Sequence, residues 1–560
     1  MKKKSVIIVM IVLVATLFGF LAITSPTVKN LETDFNAINA VKHIKEISKQ
    51  PHSVYDYEAH EEVRQYIINT AKSYVGDENV AQRNYDMAGN KNPKEGITYV
   101  STEYIKNNNL DCEYDIRNVL VTVPGKSETG ILLVAHYDSR GHIGRFGELG
   151  GSYGAGDDGY GVATLLEIIR YASSQVKNNE NTLYVLFADS EEVNMYGSTL
   201  EANVNKEVMD KVNFVINVEA RGLFGACYMF ETSNNNQNVM KFYNKAIDKV
   251  SYSVAPAAYS VMTNYTDFMA FTRIGKQGLN FGTLDNINVY HNPSDNYSSV
   301  RASSLQHYGS QILPLVKEYL SDVKYQDMNY FVGNQDQVFF NFLPNIFISY
   351  SETFGAILSI IILLGVIAYI IFAFKKDWQL FLKQLGVFLG LLVVAIIGGY
   401  LVSFVISRFM GTPWTISNVR FNDDKFALLI FMLVMTLGFG LILNKTTKKR
   451  ESNENFILAA VLFNALLNVL VSFVLSGASF IFMLPALFGL INLVVNKYVN
   501  KKLVRDLVTL ITIFILVAIY VPLVYSLLLA LTIGGLLAFA LIAYMPLSIL
   551  IPQTIKYLNE

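Results

Sequence analysis

The chain has only two cysteines in 560 residues, Cys112 and Cys227, and neither belongs to a Cys-x-x-Cys pair. Cysteine therefore supplies no metal or redox motif, and at most one disulfide is open if this region lies outside the cytoplasm. Two buried free thiols are the alternative. A basic tract is also missing: 45 Lys and Arg against 46 Asp and Glu give a net charge of −1, with no interleaving of aromatic and basic residues, so nucleic acid is not an expected partner. Only 16% of residues are charged and 52% are hydrophobic, which is too apolar for an ordinary soluble protein and too charged for one that is membrane throughout. No histidine occurs after His307. The average thus hides two unlike halves.

Long apolar runs lie near residues 352–374, 384–407, 426–444, 456–475, 479–496, 507–527 and 530–551, and inside them there is no Asp, Glu, Lys, Arg or His, Glu352 standing at the very end of the first. Ion-coupled transport and intramembrane proteolysis ordinarily place ionisable groups within the bilayer, so their lack argues against both. Gly398-Gly399, Gly438, Gly440 and Gly534-Gly535 are expected to mark close helix packing. An eighth run, Ser5 to Ile23, follows Met1-Lys2-Lys3-Lys4. It is long enough to span a bilayer and is expected to be an uncleaved anchor, a cleaved signal peptide being the alternative. Lysines and arginines occupy alternate connections: Lys375, Lys376 and Lys383; Lys445 to Arg450; Lys497 to Arg505. The positive-inside rule puts these loops in the cytoplasm. Counting back through the spans then leaves the polar region outside, in agreement with the basic N-terminus staying inside. The expected organisation is an N-terminal transmembrane anchor over residues 1–29, an extracytoplasmic domain over 30–345 and a membrane domain of about seven helices over 346–560, in a multi-pass cell-membrane protein.

Within the polar half, 131–135, 182–188, 212–218 and 278–281 read as buried strands, and 162–171 and 305–319 as helices, with Pro314 expected to kink or shorten the second. This alternation predicts an α/β domain with a largely parallel sheet flanked by helices, plus the all-α membrane domain. In such sheets ligands collect beyond the carboxyl ends of strands.

The polar chemistry is concentrated there. His136 follows the first strand, and Asp138 lies two residues on, able to orient a ligating ring. His142 is a nearby competitor. Asp157 and Asp158 sit in a Gly-rich turn before a helix, where one can cap the helix N-terminus while the other bridges two ions. Glu191 and Glu192 follow the next strand: one can hold a metal while the other moves a proton. Glu219 ends the third strand, and His291 lies in a polar loop after Tyr290. Two histidines and three carboxylates can hold a pair of divalent ions about 3.5–4 Å apart.

The segments HYDS, GAGDDGYG, SEEVNMYGS, NVEARG and YHNPSDN resemble the two-zinc aminopeptidase family that includes bacterial aminopeptidases, glutamate carboxypeptidase and glutaminyl cyclases, over roughly residues 115 to 320. The resemblance implies two Zn2+ per chain, with His136, Asp157, Glu192, Glu219 and His291 as ligands and Asp157 bridging. It further implies Glu191 as general base, Asp138 as the group orienting His136, and Tyr290 as an oxyanion partner. Two departures stand out. Glu219 occupies a position where many members have Asp, and Asn194-Met195-Tyr196-Gly197-Ser198 replaces the commoner Gly-Leu-Leu-Gly-Ser. The fusion to a multi-span half resembles the family's membrane-bound forms.

The leading expectation is a membrane-anchored zinc exopeptidase, an aminopeptidase-type enzyme acting on peptide substrates outside the cytoplasm, with the lipid bilayer as its other partner. A glutaminyl cyclase, a non-catalytic receptor or scaffold, and a transporter with a peptidase-like appendage are the competing readings. Arg221 and Asp267 are candidate pocket residues. Nothing in the sequence fixes an oligomeric state.

Overall fold

The computed structural model describes residues 2–30, 34–87, 97–99, 115–141, 151–260, 265–374, 377–417 and 419–559. The described residues form two compact units, one drawn from 24–250 and 263–334, the other from 1–23, 251–262 and 335–560.

The first unit is built on an eight-stranded sheet. In chain order its strands are β1 (Val80–Asp86), β2 (Ile97–Tyr99), β3 (Ile116–Val123), β4 (Gly130–His136), β5 (Thr182–Ala188), β6 (Val212–Ala220), β7 (Phe224–Thr232) and β8 (Gln277–Asp285). Across the sheet they run β2-β1-β3-β5-β4-β6-β8-β7. The central neighbours β5, β4, β6 and β8 are mutually parallel, and β3 and β7 join antiparallel. Every residue of β4, β5 and β6 is buried. A strand covered on both faces needs an unbroken apolar run rather than alternation, which is what ILLVA, TLYVLFA and VNFVINV supply. Leu132, Val134, Tyr184, Leu186 and Val215 meet Ala202, Val208, Phe268 and Phe271 on one face. Because side chains alternate along a strand, Ile131, Leu133 and Val185 point to the other. There the helices Gly159–Ser174 and Ala302–Ser321 pack against the sheet.

The second of these helices runs through Pro314 without ending there. Proline lacks the N–H that would bond the Ser310 carbonyl, so that acceptor is released. It takes the Ile247 N–H instead, at 3.2 Å. Long-range contact thus compensates the break that local sequence suggests.

In the second unit, eight helices among the described residues are long and apolar enough to cross a membrane. Their windows overlap the eight apolar runs. With them pack a hairpin of β9 (Gln337–Leu343) and β10 (Ile346–Ser351) and the segment beginning at Ser251. Ser251 N–H donates to Asn341 Oδ1 at 2.8 Å, and the Ser253 hydroxyl donates to the Gly477 carbonyl at 2.5 Å. The glycine expectation holds in part. A Cβ on Gly399 would meet the Leu536 carbonyl oxygen at 2.7 Å, and one on Gly534 would run into the Thr415 carbonyl oxygen, whereas Gly438 and Gly440 have nothing within 4 Å among the described residues. Small residues in apolar runs do not by themselves name a helix contact. Polar contacts between helices come from amides and phenols as well: Asn492 donates to Thr512 Oγ1 at 2.7 Å and accepts from Thr509 at 3.2 Å, and the Tyr544 hydroxyl donates to the Phe388 carbonyl at 2.7 Å.

Candidate metal centre

Four adjacent parallel strands each deliver a side chain at or beyond their carboxyl ends. His136 is the last residue of β4 and pairs with Ala188, the last of β5; Glu191 and Glu192 follow three and four residues later. Val134 pairs with Asn217, so His136 and Glu219, each two residues further on, stand side by side. His291 comes from the loop after β8. Asp157 comes from the turn before the helix Gly159–Ser174, and Asp158 caps that helix by accepting the Gly161 N–H at 2.9 Å. Of the two aspartates open to either task, Asp158 is the cap and Asp157 faces the histidines.

The His136 Nδ1–H donates to the main-chain carbonyl of Asp138 at 2.9 Å, with the carboxylate at 3.5 Å. A carbonyl only accepts, so the proton sits on Nδ1 and the Nε2 lone pair points inward. Nε2 lies 3.2 Å from Asp157 Oδ1 and 3.9 Å from Glu219 Oε2. On the other side, His291 Nε2 lies 3.1 Å from Asp157 Oδ2 and 3.3 Å from Glu192 Oε1. Asp157 therefore stands between the two imidazoles, one oxygen toward each. His136, Asp157 and Glu219 offer one donor atom each within 4.8 Å of one another, and Asp157, Glu192 and His291 do the same.

The donor set fits divalent cations. Asp157 Oδ2, Glu192 Oε1 and His291 Nε2 are buried and make no hydrogen bond among the described residues, although they converge. Buried polar atoms are ordinarily paired, and three that are not, all from groups that ligate metals, mark a place for an ion. The charges agree. Burial and their neighbours' negative charge push Glu191 and Glu219 well above the usual carboxylate range, and Glu192 upward. Burial would raise Asp157 as well, but the two imidazoles outweigh it and hold that carboxyl below its ordinary value. Burial would depress His291, whereas Glu192 and Asp157 lift it to about 9. Such a cluster is short of positive charge.

Glu191 lies in the turn at the start of the short helix Glu191–Asn194 and is not in either donor triad. Asp138 holds that turn, its carboxylate accepting the N–H groups of Glu191 at 3.0 Å and Glu192 at 3.2 Å. One residue thus steadies the ring of His136 through its carbonyl and the Glu-Glu pair through its side chain. Tyr290 stacks on His291 with ring centroids 3.6 Å apart, and burial pushes its phenol well up. Arg221 donates its main-chain N–H to Thr283. Asp267 is fully buried at the start of the helix Phe268–Arg273, and burial pushes it up to about 6. Cys227 is buried in β7; Cys112 and His142 lie outside the described residues.

Two residues of the cluster escaped sequence reasoning. Asp295 accepts the Gly156 N–H at 2.6 Å and the Asp157 N–H at 3.3 Å, tying the Asp157 turn to the loop that carries His291. Its signal was present, since it belongs to YHNPSDN, but nothing local told its carboxylate from a solvated one. Arg140 donates to the Glu192 carbonyl at 2.6 Å and to Glu192 Oε2 at 3.2 Å.

Residues 118–316 match the model of Peptidase family M28. The matched stretch spans the sheet from β3 to β8 and the loop that carries His291. All eight site residues named from the sequence lie inside the M28 region. Among curated proteins, a vacuolar membrane protease of Lodderomyces elongisporus is 27% identical over 394 residues, covering 68% of this chain and 38% of that protein. A vacuolar membrane protease of Schizosaccharomyces pombe is 27% identical over 302 residues, covering 53% of this chain and 33% of that protein. The chain matches little more than a third of the length of these relatives. Among solved structures, a zinc aminopeptidase from Bacillus subtilis aligns with a TM-score of 0.38 and 13% identity over 54% of this chain and 99% of that one.

Proposed function

We propose that the chain is a membrane-anchored, zinc-dependent exopeptidase of the aminopeptidase type, with its M28 domain outside the cytoplasm. The observation that carries this reading is the position of Asp157 between His136 and His291, with a complete donor triad on either side. One triad, His136, Asp157 and Glu219, would hold one zinc; the other, Asp157, Glu192 and His291, would hold the second. The assignment of a peptidase domain to 30–345 and a membrane domain to 346–560 belongs to the same proposal. Its orientation rests on the alternate basic loops and the Lys-rich N-terminus.

Bound there, a zinc pair supplies Lewis acidity, polarising the scissile carbonyl and making water a better nucleophile at neutral pH. The protein's part is to place groups and move a proton. Glu191 takes a proton from the attacking water and returns it to the leaving amine as the C–N bond breaks, so it is used once as base and once as acid. Asp138 fixes His136 and the Glu191–Glu192 turn, and Tyr290 stands beside His291 to receive the developing oxyanion. The aminopeptidase form is preferred on the resemblance of HYDS, GAGDDGYG, SEEVNMYGS, NVEARG and YHNPSDN to the two-zinc aminopeptidases.

A digest of a peptide library, read by mass spectrometry, tests the reading. Products are expected to be shortened one residue at a time from the amino end, and N-acetylated copies of the same peptides are expected to survive. Trimming from the carboxyl end, or internal cuts, would contradict the aminopeptidase assignment.

A further inference from the structure

Arg140 lies 52 residues before Glu192 in the chain and touches it twice. Its Nη1 donates to the Glu192 main-chain carbonyl at 2.6 Å and to the side-chain Oε2 at 3.2 Å. The two oxygens of Glu192 are thereby made unequal. Oε2 is engaged by a guanidinium, while Oε1, buried and without a hydrogen bond, faces His291 Nε2 at 3.3 Å. A carboxylate free to rotate would present either oxygen, or both, to an ion. This one presents a single oxygen in a fixed direction, and its backbone is gripped by the same cation.

We propose that Arg140 is a positioning residue that makes Glu192 a one-oxygen ligand and thereby sets the affinity of the Asp157–Glu192–His291 site, leaving the His136–Asp157–Glu219 site unaffected. The inference rests on the two-zinc reading above. Three features of the geometry support it. Among the described groups, the guanidinium's hydrogen bonds and ion pair all go to Glu192, a donor of the His291 triad and not of the other. Among the described residues, Glu192 pairs with no cation besides Arg140 except His291, itself a donor of the same triad. Arg140 also lies two residues after Asp138, whose carboxylate accepts the Glu192 N–H at 3.2 Å. Residue 192 is therefore held at its N–H, its carbonyl and one carboxylate oxygen, and the remaining oxygen is left for the ion. Ligand-orienting contacts of this kind are worth about 10- to 100-fold in metal affinity.

A merely structural role would look different. Were Arg140 only a staple for the 190–194 turn, its loss would loosen Glu191, Glu192 and Asp138 together and lower the stability of the zinc-free chain. The test is therefore a zinc competition titration on the full-length chain in detergent, for wild type, Arg140→Ala, Glu192→Gln and the double variant, with thermal unfolding of each zinc-free protein alongside. The expected result is a loss of about 10- to 100-fold in affinity for one of two ions in Arg140→Ala, the other ion unchanged. Little further loss is expected when Arg140→Ala is added to Glu192→Gln, and unfolding of the zinc-free forms should be alike. Two ions bound as tightly in Arg140→Ala as in wild type would overturn the inference alone. So would an equal weakening of both ions with a lowered unfolding temperature. A wild-type chain that takes up no zinc would instead overturn the metal reading on which the inference stands.

Discussion

Glu191→Gln is expected to lower kcat for peptide hydrolysis by about 10²- to 10⁴-fold while zinc stays bound. The side chain keeps its size and loses only the ability to accept and return a proton. The bond that holds this position in place survives, because Asp138 binds the Glu191 main-chain N–H and not its carboxylate. Neither donor triad includes Glu191, so the five ligands remain. Steady-state kinetics and zinc content measured on the same preparation separate the two effects. Near-normal kcat would remove Glu191 from the chemistry. A parallel loss of zinc would show that it serves as a ligand.

Asp157→Asn is expected to do more, because Asp157 is the one residue common to both triads. An amide presents one oxygen and one NH2 where the carboxylate presents Oδ1 to His136 at 3.2 Å and Oδ2 to His291 at 3.1 Å. The NH2 side offers no lone pair, so one ion loses a ligand whichever way the amide turns, and both lose the negative charge between them. The chain should retain at most one zinc and lose more than about 100-fold in kcat/KM. The fold should persist, since Asp295 holds the turn through the main-chain N–H groups of Gly156 and Asp157, which the substitution leaves intact. Two tightly bound ions in Asp157→Asn would contradict a bridging position.

How much of this was legible in the sequence follows from how local each signal is. The central strands could be read because a strand buried on both faces must be continuously apolar, and β5 occupies Thr182–Ala188 as read. Strands β1, β3 and β7, and the three-residue β2, were not singled out. The burial of β1, β3 and β7 is mixed, and VAQRNYD looks no more like a strand than like a loop. Pro314 misled in one respect, because the acceptor it frees is satisfied by Ile247, some 60 residues away in the chain and invisible to any local rule. At the site, the candidate ligands were legible as residue types at strand ends, and the helix cap as one of the pair Asp157 and Asp158. Arg140 and Asp295 were not, since a cation or acid whose partner lies 52 or 138 residues off leaves no spacing to recognise. The double duty of Asp138 was likewise hidden, its carbonyl serving His136 while its carboxylate serves the next strand's turn.

The central claim is that the chemistry depends on zinc held by two triads around Asp157, and the most direct test is to remove the metal and return it in measured amounts. Full-length protein stripped by a chelator and dialysed free of it is predicted to be inactive on a peptide with a free amino terminus. Added zinc is predicted to restore activity, with the titration complete at two ions per chain. Undiminished hydrolysis by the zinc-free protein would contradict the account.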